Sequence, residues 1–486
     1  MIYDIVNDMA QKYSEKICIK SEIKDITYRE LSDYMSELAS RMIKDGMAKG
    51  QKVLILLPNS IEYVVSFFAI NLAGGVAVVI DTKLNDELYR IILDNSVKYI
   101  ITNQNGRQKL DRIFDMHRDE QGFEEFNRLH TYLDDDLLEK NFIQPISNSR
   151  MKCDEDELDA PSVILYTSGS TGHPKGVLNS HRTLQNALKN YCETVAIHNE
   201  DILMAVTPFF HSYAFGSCML AGISSGATLL IQDTFNPRRI LRLITTEKAT
   251  VFHGVPYMYN LISDQIRGTK LKPDSLRLCI SAGSPLSEEV ARDFYNLTGK
   301  VIHQEYGSSE TGTMAINLSD DPEKNIKSVG KPLKNVSVGT EETEDGSTLQ
   351  IKSWGRSVGY VGNEPFSEGW YDTGDIVTID TEGYIYILGR KKRMISVAGL
   401  KVNPLEVEQY ISKHPDIDSV MVKGCKDEDF GEIVEAYVVR KLVNLSEQDI
   451  ILFCQGNLAA YKIPRVIHFV GSLPQSSTGK VVSKAE

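Results

Sequence analysis

The chain has 486 residues, enough for two or more domains with sizeable cores. Hydrophobic residues make up 42% and charged residues 24%, ordinary globular values that exclude fibrous, collagen-like and disordered classes. A formal net charge of -13 argues against a nucleic-acid binder, because neutralising phosphates needs a clustered excess of Lys and Arg.

Taken in order, the N-terminus carries acids early and lacks a basic-then-apolar signal pattern. Ile26-Thr27-Tyr28 precedes an amphipathic helix expected from about Glu30 to Lys44. Lys52 to Leu57 reads as a strand ended by Pro58-Asn59, and a helix is expected from Ser60. The longest apolar stretch, Val64 to Ile80, is broken by Ser66, Asn71 and Gly74-Gly75. Spanning a membrane takes ~20 predominantly apolar residues, so this stretch is read as a buried helix, a glycine turn and a core strand. No integral membrane segment is expected, and the cytoplasm is the expected location.

Tyr99 to Thr102 is a further strand, whereas residues 104 to 150 are polar and weakly periodic. After the acidic connector Asp154 to Asp159 comes the strand Ser162 to Tyr166. The alternation resumes with short strand-like runs at Thr228 to Ile231, Thr250 to Phe252, Leu278 to Ile280 and Val301-Ile302. Strands alternating with helices imply βαβ units. Beyond Lys331-Pro332 the texture becomes β-rich, with turn signals at Asp345-Gly346 and Glu382-Gly383. The last ninety or so residues read as a small α/β unit with helices near Leu405 to Lys413 and Glu447 to Gln455. The expected class is α/β: a large N-terminal domain, residues 1–391, of βαβ units with mixed sheets and a β-rich subdomain. A small mobile C-terminal α+β domain, residues 392–486, completes it. The seven cysteines are scattered and form no CxxC pair, which suggests reduced thiols rather than disulfides or zinc.

The strongest local signal is Tyr166-Thr167-Ser168-Gly169-Ser170-Thr171-Gly172-His173-Pro174-Lys175-Gly176. A strand enters a loop of glycines, hydroxyls and a lysine, and a helix is expected on its far side. Such a loop brings backbone N–H groups and hydroxyls around phosphate oxygens, with Lys175 adding charge. The glycine spacing is not that of a Walker A loop.

This loop resembles the phosphate-binding loop of the adenylate-forming enzymes, the superfamily of acyl-CoA synthetases, aryl-CoA ligases, nonribosomal adenylation domains and firefly luciferase. Further motifs follow in the family's order. Tyr306-Gly307-Ser308-Ser309-Glu310-Thr311 resembles its Tyr-Gly-x-Thr-Glu motif, and Thr373-Gly374-Asp375 its Thr-Gly-Asp motif. Gly389-Arg390-Lys391-Lys392 resembles the hinge motif, Gly399-Leu400-Lys401-Val402 the loop after it, and Leu473 to Lys480 the terminal lysine motif.

The resemblance implies roles. Glu310 would bind Mg²⁺ as a hard oxygen donor, Tyr306 would stack on adenine, and Ser309 would approach the α-phosphate in place of the usual threonine. Asp375 would accept the ribose hydroxyls with Arg390 as a second contact. Lys480 would reach the α-phosphate and the carboxylate during adenylation. Lys392 would be the pivot between two orientations of the small domain, Gly399 would let the pantetheine arm pass, and Lys401 would contact a phosphate.

Pro208 to Gly216 resembles the acyl-pocket motif of fatty-acyl and coumarate-type CoA ligases, with His211 beside the carboxylate. The family's amino-acid-activating domains place an Asp in this stretch, and none occurs between Pro208 and Gly222. Ser212 replaces the Asn of salicyl-type sites. The pocket floor is expected from Gly254, Ser281, Ala282 and Gly283, with Ala315 further in. The implied activity is an ATP-dependent acid–thiol ligase that forms an acyl-AMP and then a thioester with coenzyme A. Its acid is expected to be a medium or long fatty acid, or another apolar carboxylate such as an aryl acid. The alternatives are a stand-alone ligase loading an acyl carrier protein and, more remotely, a non-catalytic nucleotide or acyl binder.

Overall fold

The computed structural model describes residues 1–118, 129–133, 155–167, 174–427, 430–441, 445–455 and 457–474. Its chain divides into two compact units. One comprises Met1–Ile326, Leu333–Val336 and Ser353–Glu368; the other comprises Lys327–Pro332, Ser337–Lys352 and Gly369–Glu486.

Local chemistry accounts for the first elements. The helix Tyr28–Lys44 starts at a capping box between Thr27 and Glu30, and Ile61–Leu72 starts where the Ser60 side chain accepts from the Tyr63 N–H. Helix Ile61–Leu72 is buried along most of its length, Gly74 turns the chain at φ +79°, and strand Val76–Val79 is buried on both faces. The long apolar stretch is therefore helix, turn and core strand, as expected. Among the described residues no helix is long and apolar enough to cross a membrane.

The first unit contains two mixed sheets. In one, the spatial order is Gly359–Tyr360, Lys175–Ser180, Pro161–Thr167, Val76–Val79, Lys52–Leu56, Tyr99–Thr102, His130–Leu133. Its pairings from Pro161–Thr167 to His130–Leu133 are parallel. In the other, Ile302–Ser308, Leu278–Ser281, Val251–Gly254, Ile202–Ala205, Thr228–Ile231 and Ile17–Lys20 lie parallel. Gly312–Ile316 pairs antiparallel with Ile302–Ser308. Short strands buried on both faces are what a parallel sheet flanked by helices demands.

One local feature differs from the sequence reading. The segment after the glycine-rich loop is not yet a helix: Lys175–Ser180 is a strand paired antiparallel with Pro161–Thr167, so the loop closes a hairpin. Buried Gly176, Val177 and Asn179 pack into the sheet, and the helix His181–Thr194 begins only where Ser180 caps it. Within the weakly periodic 104–150 stretch, Gln104–Met116 is helical and His130–Leu133 adds an edge strand.

In the second unit, Ser337–Thr343, Gly346–Lys352, Tyr371–Ile379 and Ile385–Arg390 form an antiparallel four-stranded sheet. A 3₁₀ turn at Lys391–Arg393 leads to a second sheet built on the hairpin Ile417–Asp427 and Gly431–Arg440. Helices Pro404–Ile411 and Glu447–Cys454 contribute Val407, Ile411, Ile450 and Cys454 to its core. Lys392 thus lies inside this unit, between its two sheets.

Candidate active site

In the first unit the expected residues cluster at one end of the parallel sheet, the carboxyl end where α/β sheets bind ligands. Gly254 and Ser281 end adjacent strands in register, Ala282 is buried, and Gly283 turns at φ +85°. Tyr306 stands on the next strand, opposite the buried Ala315. Gly307 is required by packing: a Cβ there would sit 2.4 Å from the Gly312 carbonyl oxygen.

The turn after Tyr306 is held by its own hydroxyls. Thr311 Oγ1 accepts from the Ser308 N–H at 3.1 Å, and the Ser309 and Ser212 hydroxyls meet at 3.0 Å. Glu310 is fixed at both ends. Its carbonyl accepts from the Ser357 N–H and hydroxyl, and its Oε1 accepts from the Tyr360 hydroxyl at 2.7 Å. The exposed Lys175 places its ammonium 5.5 Å from the centre of the same Tyr360 ring. Tyr360 thereby joins the loop lysine to the carboxylate, a link no motif announced.

His211 packs against the Phe210 ring at 4.3 Å between centroids. Burial pushes its pKa down to about 4, partly offset by Asp81, so it is a neutral imidazole near neutral pH. A cavity of about 50 Å³ runs past Ser212 and Ser309, walled by Leu165, Leu184, Leu188 and Phe215. Behind it lies a polar layer that the sequence reading missed. Buried Glu305 accepts at Oε1 from Ser217 Oγ and Thr313 Oγ1, both at 2.6 Å. The Tyr191 hydroxyl meets His253 Nε2 at 3.2 Å. The available signal was a carboxylate inside a strand, directly before Tyr306.

In the second unit Asp375 and Arg390 are cross-strand partners. Asp375 is 3% exposed, and its Oδ1 accepts from Arg390 Nε at 2.6 Å. Lys392 is exposed in the 3₁₀ turn. Gly399 is exposed at φ +82°, and a Cβ added there would meet nothing within 4 Å, so backbone conformation rather than crowding favours glycine. Lys401 pairs with Asp345 at 3.0 Å, and Asn403 Nδ2 donates to the Leu388 carbonyl. Of the expected site residues, Thr167 ends the first hairpin strand beside Lys175. Ser168, Gly169, Ser170, Thr171, Gly172 and Lys480 lie outside the described residues.

The chain belongs to the AMP-binding enzyme family: that family's model matches residues 6–356, and the model of its C-terminal domain matches residues 406–480. It is an AMP-forming acid–thiol ligase. It is 30% identical over 476 residues to the long-chain-fatty-acid–CoA ligase FadD13 of Mycobacterium tuberculosis, covering 94% of this chain and 92% of that one. It is 26% identical to 2-succinylbenzoate–CoA ligase of Bacillus cereus, covering 97% and 95%. Among solved structures, ATP-bound MatB from Rhodopseudomonas palustris superimposes with a TM-score of 0.86 at 26% identity, covering 99% of this chain and 97% of that one.

Proposed function

We propose that this ligase activates an apolar carboxylic acid as its acyl-adenylate and transfers the acyl group to coenzyme A. The observation that carries the acid class is the leucine- and phenylalanine-walled cavity directly beside Ser309. The coenzyme A ligases named among its relatives support the thiol. A medium or long fatty acid and an aryl acid both suit an apolar wall; the 50 Å³ of space favours the more compact acids.

The residues divide the work. Asp375, an acceptor with two oxygens, suits a ribose diol, and Arg390 holds it in place. Tyr306 offers a face for adenine. Glu310 suits Mg²⁺, which is commonly held by one or two carboxylates together with substrate phosphates; when bound, the ion would neutralise charge on the departing pyrophosphate. The hydroxyl- and glycine-rich loop, residues 168–172, and Lys175 receive phosphate oxygens. Neutral His211 orients the carboxylate without repelling or trapping it by charge. Lys480 supplies the cation for adenylation.

The second half-reaction is assigned to rotation at Lys392, after which the Gly399–Lys401 loop serves the thiol. The Lys401–Asp345 pair and the Asn403–Leu388 bond hold the C-terminal fold on the four-stranded sheet and would part in that rotation.

Incubation with ATP, Mg²⁺, coenzyme A and a panel of acids should yield AMP and acyl-CoA by mass spectrometry. Thioester formed only on a holo acyl carrier protein would replace coenzyme A in this reading, and AMP formation with no acid would overturn it.

A further inference from the structure

The polar layer behind the acid cavity is not required by any step above. Glu305 lies on the strand Ile302–Ser308 and is 6% exposed. Its Oε1 accepts two hydroxyl protons, from Ser217 and Thr313, while its buried Oε2 has no partner in bonding geometry among the described residues. The Tyr191 hydroxyl also lies close enough to favour the charged form. Ser217, Thr313 and Tyr191 all line the cavity; Glu305 stands behind them.

Hydrogen-bond direction follows from this arrangement. An ionised carboxylate only accepts. Ser217 and Thr313 also meet each other at 3.1 Å, where either could donate; once Glu305 is ionised, its charge draws both protons to Oε1, and the two hydroxyls present lone pairs to the cavity. Among the described residues His253 Nδ1, beyond Tyr191, is likewise buried without a partner. A plain hydrocarbon offers the Ser217 and Thr313 lone pairs no donor. The cavity has room there for a few water-sized groups.

We propose that Glu305, acting through Ser217 and Thr313, makes one wall of the acid cavity a hydrogen-bond-accepting subsite, and that the preferred acid carries a donor on an otherwise apolar body. The donor is a hydroxyl or a protonated amine. Glu305 is thus a positioning and specificity residue. This rests on the reading of the chain as an acid-activating ligase.

The test is carboxylate-dependent exchange of pyrophosphate into ATP with matched acids. Hexanoate and benzoate are compared with hydroxy and amino derivatives substituted at each position. Wild type should favour at least one donor-bearing acid over its unsubstituted parent by at least about a hundredfold in kcat/KM, since a site built to hydrogen-bond a substrate group rejects the analogue lacking it by up to about 10⁴–10⁵-fold. Thr313→Val and Glu305→Gln should shrink that ratio, lowering kcat/KM for the donor-bearing acid more than for its parent. A larger loss for amino than for hydroxy acids in Glu305→Gln would identify the amine as the donor, and equal losses the hydroxyl. If Glu305→Gln fails to fold, Thr313→Val alone decides. A purely structural role would lower thermal stability and leave the ratio unchanged, overturning the proposal. Exchange with unsubstituted acids at equal or higher kcat/KM would also overturn it while leaving the ligase reading intact. No exchange with any acid would instead sink the ligase reading.

Discussion

Two buried carboxylates, one in each unit, are held in opposite ways. Asp375 is bonded to a guanidinium at 2.6 Å; Glu305 is bonded only to neutral hydroxyls. A buried acid facing a cation has a charged partner built into its sheet, whereas one facing hydroxyls has only neutral donors to set against its burial. Burial accordingly pushes Glu305 up to about 7, against the lowering effect of Ser217, Thr313 and Tyr191. One site is arranged for a fixed task, the other to respond to what lies beside it.

Removing the paired carboxylate should have the larger effect. Asp375→Ala should raise the KM for ATP by roughly a hundredfold, the loss of about 3 kcal/mol of charge-assisted hydrogen bonding. Arg390 is half-exposed, so solvent takes over its side of the pair and thermal stability should fall little. Steady-state kinetics beside a melting curve would check both; collapse of the fold would mean that the pair is structural first.

Loops of the second unit offer a sharper contrast, because they are assigned to the thiol step alone. Gly399→Leu places a branched side chain at φ +82°, which costs about 1–2 kcal/mol locally and obstructs the proposed thiol path. Lys392→Pro restricts the pivot by fixing φ near roughly -65°. Both should retain ATP–pyrophosphate exchange and lose thioester synthesis. Normal thioester formation by Gly399→Leu would remove the proposed tunnel.

The unpaired carboxylate should show itself through pH. Around Glu305 stand Tyr191, Tyr213, Cys218 and Thr313, with His253 beyond Tyr191. Burial holds the His253 imidazole near 3 and the phenols and thiol well above their ordinary values, leaving Glu305 to titrate. Its folded pKa lies above its unfolded one, so its stabilising contribution is complete below the unfolded value and is lost as pH rises through about 7. Wild type should therefore lose on the order of 3 kcal/mol between about pH 4 and pH 8 from this group, and Glu305→Gln should flatten that slope in a melting series. An unchanged slope would place the titration elsewhere.

The smallest effect is expected at Lys401→Ala. Its pair with Asp345 is exposed on the lysine side and is worth up to about 1 kcal/mol. Stability should hardly move, while the balance between half-reactions shifts if the pair restrains the proposed rotation.

The two carboxylates also differ in how far the sequence revealed them. Asp375 sits in Thr373-Gly374-Asp375, where short spacing and a turn place it, and Arg390 follows on the partner strand. Buried apolar runs such as Val76 to Val79 and Leu278 to Ile280 were equally readable, because burial on both faces leaves a continuous apolar signal. The layer around Glu305 was not. It joins Tyr191, Ser217, Glu305 and Thr313 from four separate elements, and no local period links them. The hairpin strand Lys175–Ser180 was hidden for a related reason. Its pairing with Pro161–Thr167 depends on sheet register, while its Gly176, Asn179 and Ser180 read locally as a loop leading to a helix. Tyr360, 50 residues beyond Glu310, likewise becomes a site residue only through the fold.

The most direct test of the account is to measure its two half-reactions separately in the wild type and in Lys480→Ala. Without thiol, the wild type should catalyse carboxylate-dependent exchange of pyrophosphate into ATP. Lys480→Ala should lose that exchange by about 10²–10³-fold, the effect of removing one transition-state donor, yet still convert a supplied acyl-adenylate to thioester. Absence of exchange with every acid, or equal loss of both steps in Lys480→Ala, would contradict it.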